Sequence, residues 1–318
     1  MVVEGLLRFS LPTLLPIGAV NSYVLRGKTT VMIDTGPNNE YTFEFLKNEL
    51  KQVDVDISSI DKILITHGHV DHCGLARRIS DISGAEIFVH RGDENLVRDF
   101  GGTLAKKRDW FRDEIRRCGV PTRTLNLIEE FFHFLSKMAD STDIAGYLED
   151  RQEIESGDAA LKVLHTPGHS AGSVSFLSAD GALFSGDTLP REYTPSVVCA
   201  GSGTLSAGLG EYFKSLGKLR GMETREVYPG HGGPFFDKNE AIDECLDTMR
   251  AREGRVIQAL QIGSATPFNL MTKVYGPLPI HEIFTGLSEV LGFLDRMVAE
   301  GVIEETVEDE VRMFSLKS

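Results

Sequence analysis

Along the first two thirds of the chain, apolar and β-branched residues gather in short runs bounded by turn formers. SYVLRG, TTVMIDTG, KILITHG, AEIFVH, LKVLHTPG, GSVSFLS and GALFSGD all have this character, which predicts strands. Between them the apolar period lengthens to that of a helix, in YTFEFLKNELKQV after Asp34 and in GLARRISDI after His72. Strands and helices therefore alternate, the pattern of an α/β fold. Two stretches depart from it. From about Gly92 to Ile154 the pattern is mostly helical, as in DWFRDEIRRCG and LNLIEEFFHFLSKMAD, with no convincing strand. This block reads as an insertion. After Pro234, NEAIDECLDTMRAREGRVIQAL, PFNLMTKVYG and PIHEIFTGLSEVLGFLDRMVAEG predict three helices, and IEETVEDEVRMFSL predicts an acidic hairpin. Together they suggest a small winged-helix-like domain. The expected organisation is a large domain over residues 1–236, with the insertion at 92–154, and a helical domain over 237–318.

Composition narrows the field. With 318 residues, 41% hydrophobic and 25% charged, the chain has the makeup of a self-folding soluble protein. A formal charge of -14 works against phosphate backbones, so nucleic acid is not the expected partner. From Gly263 to Ser318 four Lys/Arg face nine Asp/Glu, with Glu308, Asp309 and Glu310 at the hairpin tip. A DNA-reading winged helix is usually basic there. The C-terminal domain is expected to play a structural role instead, beside the site or against a second subunit, which leaves a homodimer open. Cys73, Cys118, Cys199 and Cys245 form no CxxC pair, which suits a reducing cytoplasm. The N-terminal stretch has no signal-peptide pattern, and no run reaches the ~18 to 20 apolar residues of a membrane span.

The chemistry concentrates in T-H-G-H-V-D-H-C-G, Thr66 to Gly74, directly after the apolar run Ile63-Leu64-Ile65. His67, His69, Asp71 and His72 offer imidazole and carboxylate donors, which hold zinc, iron or manganese at neutral pH. His169 in LKVLHTPGHS, Asp187 in GALFSGDTL and His231 in REVYPGHGG follow further apolar segments. Loops beyond the carboxyl ends of strands are where such side chains converge.

This set resembles the metallo-β-lactamase-fold superfamily, whose HxHxDH motif is followed by separate His, Asp and His ligands. The resemblance covers roughly residues 1–235 and implies an αβ/βα sandwich. It implies that His67, His69 and His169 bind one ion, that Asp71, His72 and His231 bind a second, and that Asp187 bridges both. HTPGHSAGSVSF and SGDTL look most like the glyoxalase II-like hydrolases. On that resemblance the expected activity is hydrolysis of a small-molecule thioester or ester by a hydroxide held between two divalent ions, zinc foremost. Asp71 would guide the proton from nucleophile to leaving group, and Asp34 in MIDTG would orient a ligand histidine. Asp187 sets the chain apart from authentic β-lactamases of this fold, which generally lack a bridging aspartate. His69 sets it apart from flavodiiron oxidoreductases, which place glutamate there. The alternatives are a phosphodiesterase or endoribonuclease acting on single-stranded RNA, and a slow metal-binding effector module.

The substrate side is less defined. His72 and His169 are 97 positions apart, and the excess length maps onto the helical block, which is expected to lie over the cleft as a lid. Trp110, Phe111, Phe131, Phe132 and Phe134 give it an apolar content that serves either internal packing or an acyl pocket. Arg108, Arg112 and Arg116 share one helix face. With Asp109, Asp113 and Glu114 interleaved, that face is either a solvated ion-pair lattice or an anion site. Tyr193, six residues beyond Asp187, is a candidate donor to a substrate carbonyl.

Overall fold

The computed structural model describes residues 5–191 and 208–317. β1 (Leu6–Leu11), β2 (Val20–Leu25) and β3 (Val31–Ile33) run antiparallel. α1 (Glu40–Gln52) crosses over to β4 (Lys62–Leu64), and the short α2 (Val70–Cys73) with α3 (Ala76–Ser83) leads to β5 (Glu86–Val89). β3, β4 and β5 are parallel, which requires such crossovers. α4 (Glu94–Arg98), α5 (Phe100–Arg117) and α6 (Thr122–Leu135) follow, and β6 (Gly146–Tyr147) joins β5 as the outermost strand of the first sheet. The second sheet comprises β7 (Glu153–Ser156), β8 (Ala159–His165), β9 (Val174–Ser178) and β10 (Ala182–Gly186), paired antiparallel in succession. After α7 (Gly208–Arg220), β11 (Glu226–Pro229) adds parallel to β10.

Alternation along each strand sends neighbouring residues to opposite faces. Tyr23, Ile33 and Leu64 of the first sheet meet Val163, Phe176 and Phe184 of the second in a shared core. Behind the first sheet, Met32 and Ile63 pack under Phe43, Leu46 and Leu50 of α1 and Ile79 of α3. Behind the second, Leu164, Leu183 and Val227 pack under Tyr212, Leu216 and Leu219 of α7. The expected αβ/βα sandwich is therefore present. One expectation needs correction: residues 92–154 are mostly helical but not free of strands, since β6 lies within them and β7 begins at Glu153. β6 has two residues, too few for any period to show.

α8 (Lys238–Leu260), α9 (Pro267–Tyr275) and α10 (Ile280–Ala299) precede a hairpin of β12 (Ile303–Glu308) and β13 (Val311–Leu316). Asp309 and Glu310 turn it with φ of 46° and 66°, the two-residue geometry that matches strand twist. α10 is the hub of this region. Its Phe284 lies against Phe111 and Phe132 of α5 and α6, with ring centroids 4.8 and 5.5 Å away. Leu209 of α7 presses on Gly292, where a side chain would not fit without displacement. Arg116 reaches Glu310 at 2.8 Å. The helical block thus docks on the C-terminal helices. Among the described residues no helix is long and apolar enough to cross a membrane.

Within this helical assembly Glu289, 3% exposed, receives Arg252 Nη1 at 3.0 and 3.1 Å. Removing one partner of a buried pair strands the other charge, a loss of ~3–5 kcal/mol. Arg252→Met should show such a loss in urea unfolding, and the double variant with Glu289→Met should recover most of it. A double variant as unstable as the single would show that the pair contributes nothing through its charge.

Candidate metal centre

The carboxyl ends of β3, β4, β8, β10 and β11 deliver polar side chains to one place. His67, Asp71, His72, His169, Asp187 and His231 are all buried there, with His69 half-buried. Their donor atoms fall into three overlapping groups, each spanning no more than 4.8 Å: His67, His69 and His169; His67, His72 and Asp187; Asp71, His72 and His231. All seven side chains expected from the sequence are brought together.

In His67, His72 and His231 the nitrogen turned away from the cleft is already engaged. His72 Nδ1 lies 2.8 Å from Asp34 Oδ2, and His231 Nδ1 lies 2.7 Å from the carbonyl of Ala19. Both contacts place the proton on Nδ1 and turn Nε2 to the cleft as a bare donor. Asp34 also accepts from Thr66 N at 2.8 Å and Thr66 Oγ1 at 2.7 Å, and Thr66 Oγ1 is 3.1 Å from His67 Nδ1. Asp34 holds a left-handed φ of 55°, which costs ~1–2 kcal/mol outside glycine. Three hydrogen bonds offset that cost. Gly230 is required by space: a side chain there would run into Asp187 Oδ1 and His72. α7 supports the His169 loop from behind, with Tyr212 OH donating to Thr188 O, Ser215 Oγ to Pro167 O and Lys218 Nζ to His165 O at 2.7 to 3.0 Å.

The donor set fits divalent cations. His67 Nε2, His69 Nδ1 and His169 Nε2 converge within 2.9 to 3.2 Å of one another, and protons cannot bridge all three sides of that triangle at once. His72 Nε2 and Asp187 Oδ1 are buried and without a hydrogen-bond partner among the described residues; they lie 3.5 Å apart. Such orphaned atoms are costly unless something binds them. Burial and the neighbouring imidazoles of His72, His169 and His69 hold His67 well below its ordinary pKa, so it stays a neutral ligand. Burial opposes charge on His72, yet Asp187, Asp71 and Asp34 raise it well above its ordinary value. Burial would also raise Asp71, but His72 and His231 draw it down to about 2. The carboxylates here attract positive charge strongly enough to overcome desolvation, which is what an ion would exploit.

The proposed substrate contacts lie apart from this donor set in their bonding. Arg112 pairs with Glu129 at 2.5 Å and with Asn126 at 3.3 Å, and Arg108 is exposed beside Asp109. Trp110 packs half-buried against the C-terminal core. Tyr193 and Cys199 lie outside the described residues. Cys73 is buried, and that burial pushes its thiol up, away from reactivity. One buried carboxylate was missed from sequence. Asp93, in HRGDE after β5, accepts from Gly68 N, Ser170 Oγ and Gly172 N; its only sequence signal was an acid one turn after an apolar strand.

Fold and site together define a metallo-hydrolase type of architecture, and the chain belongs to the metallo-beta-lactamase superfamily, whose family model matches residues 15–231. The chain is similar to the probable metallo-hydrolase YqjP of Bacillus subtilis, 27% identical over 307 residues and 95% of each chain. It is similar to a beta-lactamase-like protein 2 homolog of Caenorhabditis elegans, 31% identical over 89% of this chain and 80% of the relative. An atrochrysone carboxyl ACP thioesterase of Aspergillus fumigatus is 25% identical over 84% of this chain and 72% of its own. A metallo-beta-lactamase family protein of Thermus thermophilus shares the fold end to end, with TM-score 0.86, 23% identity and 100% of both chains covered.

Removing an outer partner of a ligand histidine lowers metal affinity ~10- to 100-fold. Asp34→Gly keeps the left-handed backbone accessible while deleting the carboxylate, and should weaken uptake of an ion by that order in competition with a chelator. Unchanged affinity would show that His72 is oriented without Asp34.

Proposed function

We propose that the protein hydrolyses a small-molecule thioester or ester with two divalent ions. His67, His69 and His169 would hold one, Asp71, His72 and His231 the other, and Asp187 both. Zinc suits these nitrogen and oxygen donors best, with iron or manganese able to replace it. The observation that carries the reading is the placement of Asp187: Oδ1 lies 3.5 Å from His72 Nε2, while Oδ2 lies 3.6 Å from His169 Nε2 and 3.7 Å from His231 Nε2. One carboxylate faces both donor groups.

Bound there, divalent ions supply Lewis acidity that makes water a nucleophile at neutral pH and polarises a scissile carbonyl. The chain's own groups do the rest. Asp71 Oδ2 faces His231 and His72 at 3.3 and 3.5 Å, and the Asp71 carboxylate would take the proton of the attacking water and pass it to the departing thiolate or alkoxide. His72 and His231 are pinned through Nδ1, so the donors need not reorganise as charge develops in the transition state.

An apolar acyl group is supported by the surroundings of Val70, which sits between His69 and Asp71. Its side chain is buried with Leu15, Phe100 and Met138, and Leu96, Leu104 and Leu135 are half-buried around it. We read residues 92–154 as the lid that supplies this wall, and residues 1–236 as the catalytic unit, close to the glyoxalase II-like branch. Residues 237–318 then form a winged-helix-like appendage that braces the lid. Tyr193 remains the proposed carbonyl donor. With Arg112 and Arg116 engaged by Glu129 and Glu310, Arg108 is the proposed contact for an anionic leaving group beside Trp110. Among the described residues, three buried free thiols support a reducing compartment such as the cytoplasm. The thioesterase relative supports a thioester in particular.

The reading is tested by steady-state hydrolysis of acyl-glutathione and acyl-coenzyme A beside cleavage of a single-stranded RNA, with Asp187→Ala as control. Thioester turnover should be present, and it should fall by about a hundred- to a thousandfold in the variant, as for loss of an essential electrostatic group. RNA cleavage with thioesters untouched would replace this reading with a phosphodiesterase. Full metal content with turnover of neither would leave a binding module.

A further inference from the structure

Asp93 belongs to none of the three donor groups, yet it is 1% exposed and ties together the two segments that carry the three-histidine set. Its Oδ2 accepts from Gly68 N at 2.8 Å, between His67 and His69, and from Ser170 Oγ at 2.5 Å, next to His169. Its Oδ1 accepts from Gly172 N at 2.8 Å. We infer that Asp93 is a positioning residue for one half of the centre: it sets the spacing of His67 and His69 against His169, and its hydrogen bonds to Gly68, Ser170 and Gly172 do not touch the Asp71, His72 and His231 set. This rests on the two-ion reading above.

The loops meet without spare room. A side chain at Gly172 would collide with the backbone and carboxylate of Asp93, one at Gly92 with Ala171, and one at Gly68 with Leu96 and Asp93. A second brace runs parallel to the first. His90 and His165, at the ends of β5 and β8, stack with centroids 3.9 Å apart and planes 16° from parallel. His165 Nε2 lies 3.1 Å from Ala171 O, and His90 Nδ1 accepts from Gly92 N at 3.1 Å. Both contacts hold the backbone on either side of Asp93's own hydrogen bonds. The Asp34 carboxylate, by contrast, accepts from Thr66 and lies beside His72, and Thr66 Oγ1 carries that contact on to His67 Nδ1. A buried carboxylate that satisfies three donors cannot be replaced by an apolar group without leaving those donors unpaired, so its loss should reach the ligands it spaces.

The experiment compares wild type, Asp93→Ala, Asp93→Asn and Asp34→Gly as full-length protein. It reads ions bound per chain, and the visible bands and affinity of each Co(II) during titration into metal-free protein. We expect two ions in wild type. In Asp93→Ala one Co(II) site should weaken about 10- to 100-fold while the other keeps its wild-type spectrum and affinity. Asp34→Gly, which loses the bond to His72 and the support that Thr66 passes to His67, should weaken the Asp71, His72 and His231 site at least as much as the other. Asp93→Asn keeps the shape and the bond to Gly172 N but turns a donor toward Gly68 N or Ser170, and should fall between; it carries the test if Asp93→Ala does not fold. Two wild-type sites in both Asp93 variants, or equal weakening of both sites, would overturn the assignment. Fewer than two ions in wild type would overturn the two-ion reading itself, and this assignment with it.

Discussion

The constraint on which the rest depends is the burial of six ligand-type side chains, with His69 half-buried beside them, at one end of a two-sheet core. Each imidazole has two nitrogens, and a buried nitrogen left unpaired is costly. For His72 and His231 the protein satisfies Nδ1 from its own atoms and leaves Nε2 facing the cleft. That division propagates outward. It demands a carboxylate at Asp34 in a strained backbone conformation, a carbonyl at Ala19 brought beside β11, and no side chain at Gly230. Residues distributed from position 19 to position 231 are fixed by the same local requirement.

The packing layers make that requirement affordable in another sense: they keep the loops from relaxing. The His169 loop is held from two sides, and the helix on one of them also holds the Asp187 loop. Asp93 grips its far side, α7 bonds Pro167 and His165 through Ser215 and Lys218, and Tyr212 ties α7 to the carbonyl after Asp187. α7 in turn lies between the second sheet and α10, where Leu209 fills the space above Gly292. α7 therefore links the C-terminal helices to the His169 loop.

How much of this the sequence could disclose depended on range. His67, His69, Asp71 and His72 fall in one loop, so their pattern is visible without knowing the fold. Asp34, in MIDTG, lies 38 positions from His72 and was reachable because a polar residue ending an apolar strand is itself a signal. Asp93 gives the same signal more weakly, since its partners lie 25, 77 and 79 positions away and two of them are backbone amides. Nothing in residue identity marks an amide as needing a carboxylate. The strand β6 was hidden by its length. The charged face of α5 was open to two readings, and the observed pairs, Arg112 with Glu129 and Arg116 with Glu310, depend on the docking of α6 and of the C-terminal hairpin, which helical periodicity does not contain.

Docking of the helical block also explains why its apolar residues serve two purposes. An amphipathic helix normally spends one stripe on the core, yet α5 and α6 contribute to two separate clusters. Phe111 and Phe132 join Phe284 of α10, whereas Phe100, Leu104 and Leu135 join Val70 and Leu15. The first cluster anchors the block to the C-terminal helices. The second borders the metal loop and retains half-buried members. A block anchored on one side and incompletely packed on the other can change its second cluster without unfolding, because the cost of altering a half-buried leucine is a fraction of that for a fully buried one. Substitution is thus more readily accommodated at Leu96, Leu104 and Leu135 than at His72 and His231, whose Nδ1 atoms are committed to partners and whose Nε2 atoms face the cleft.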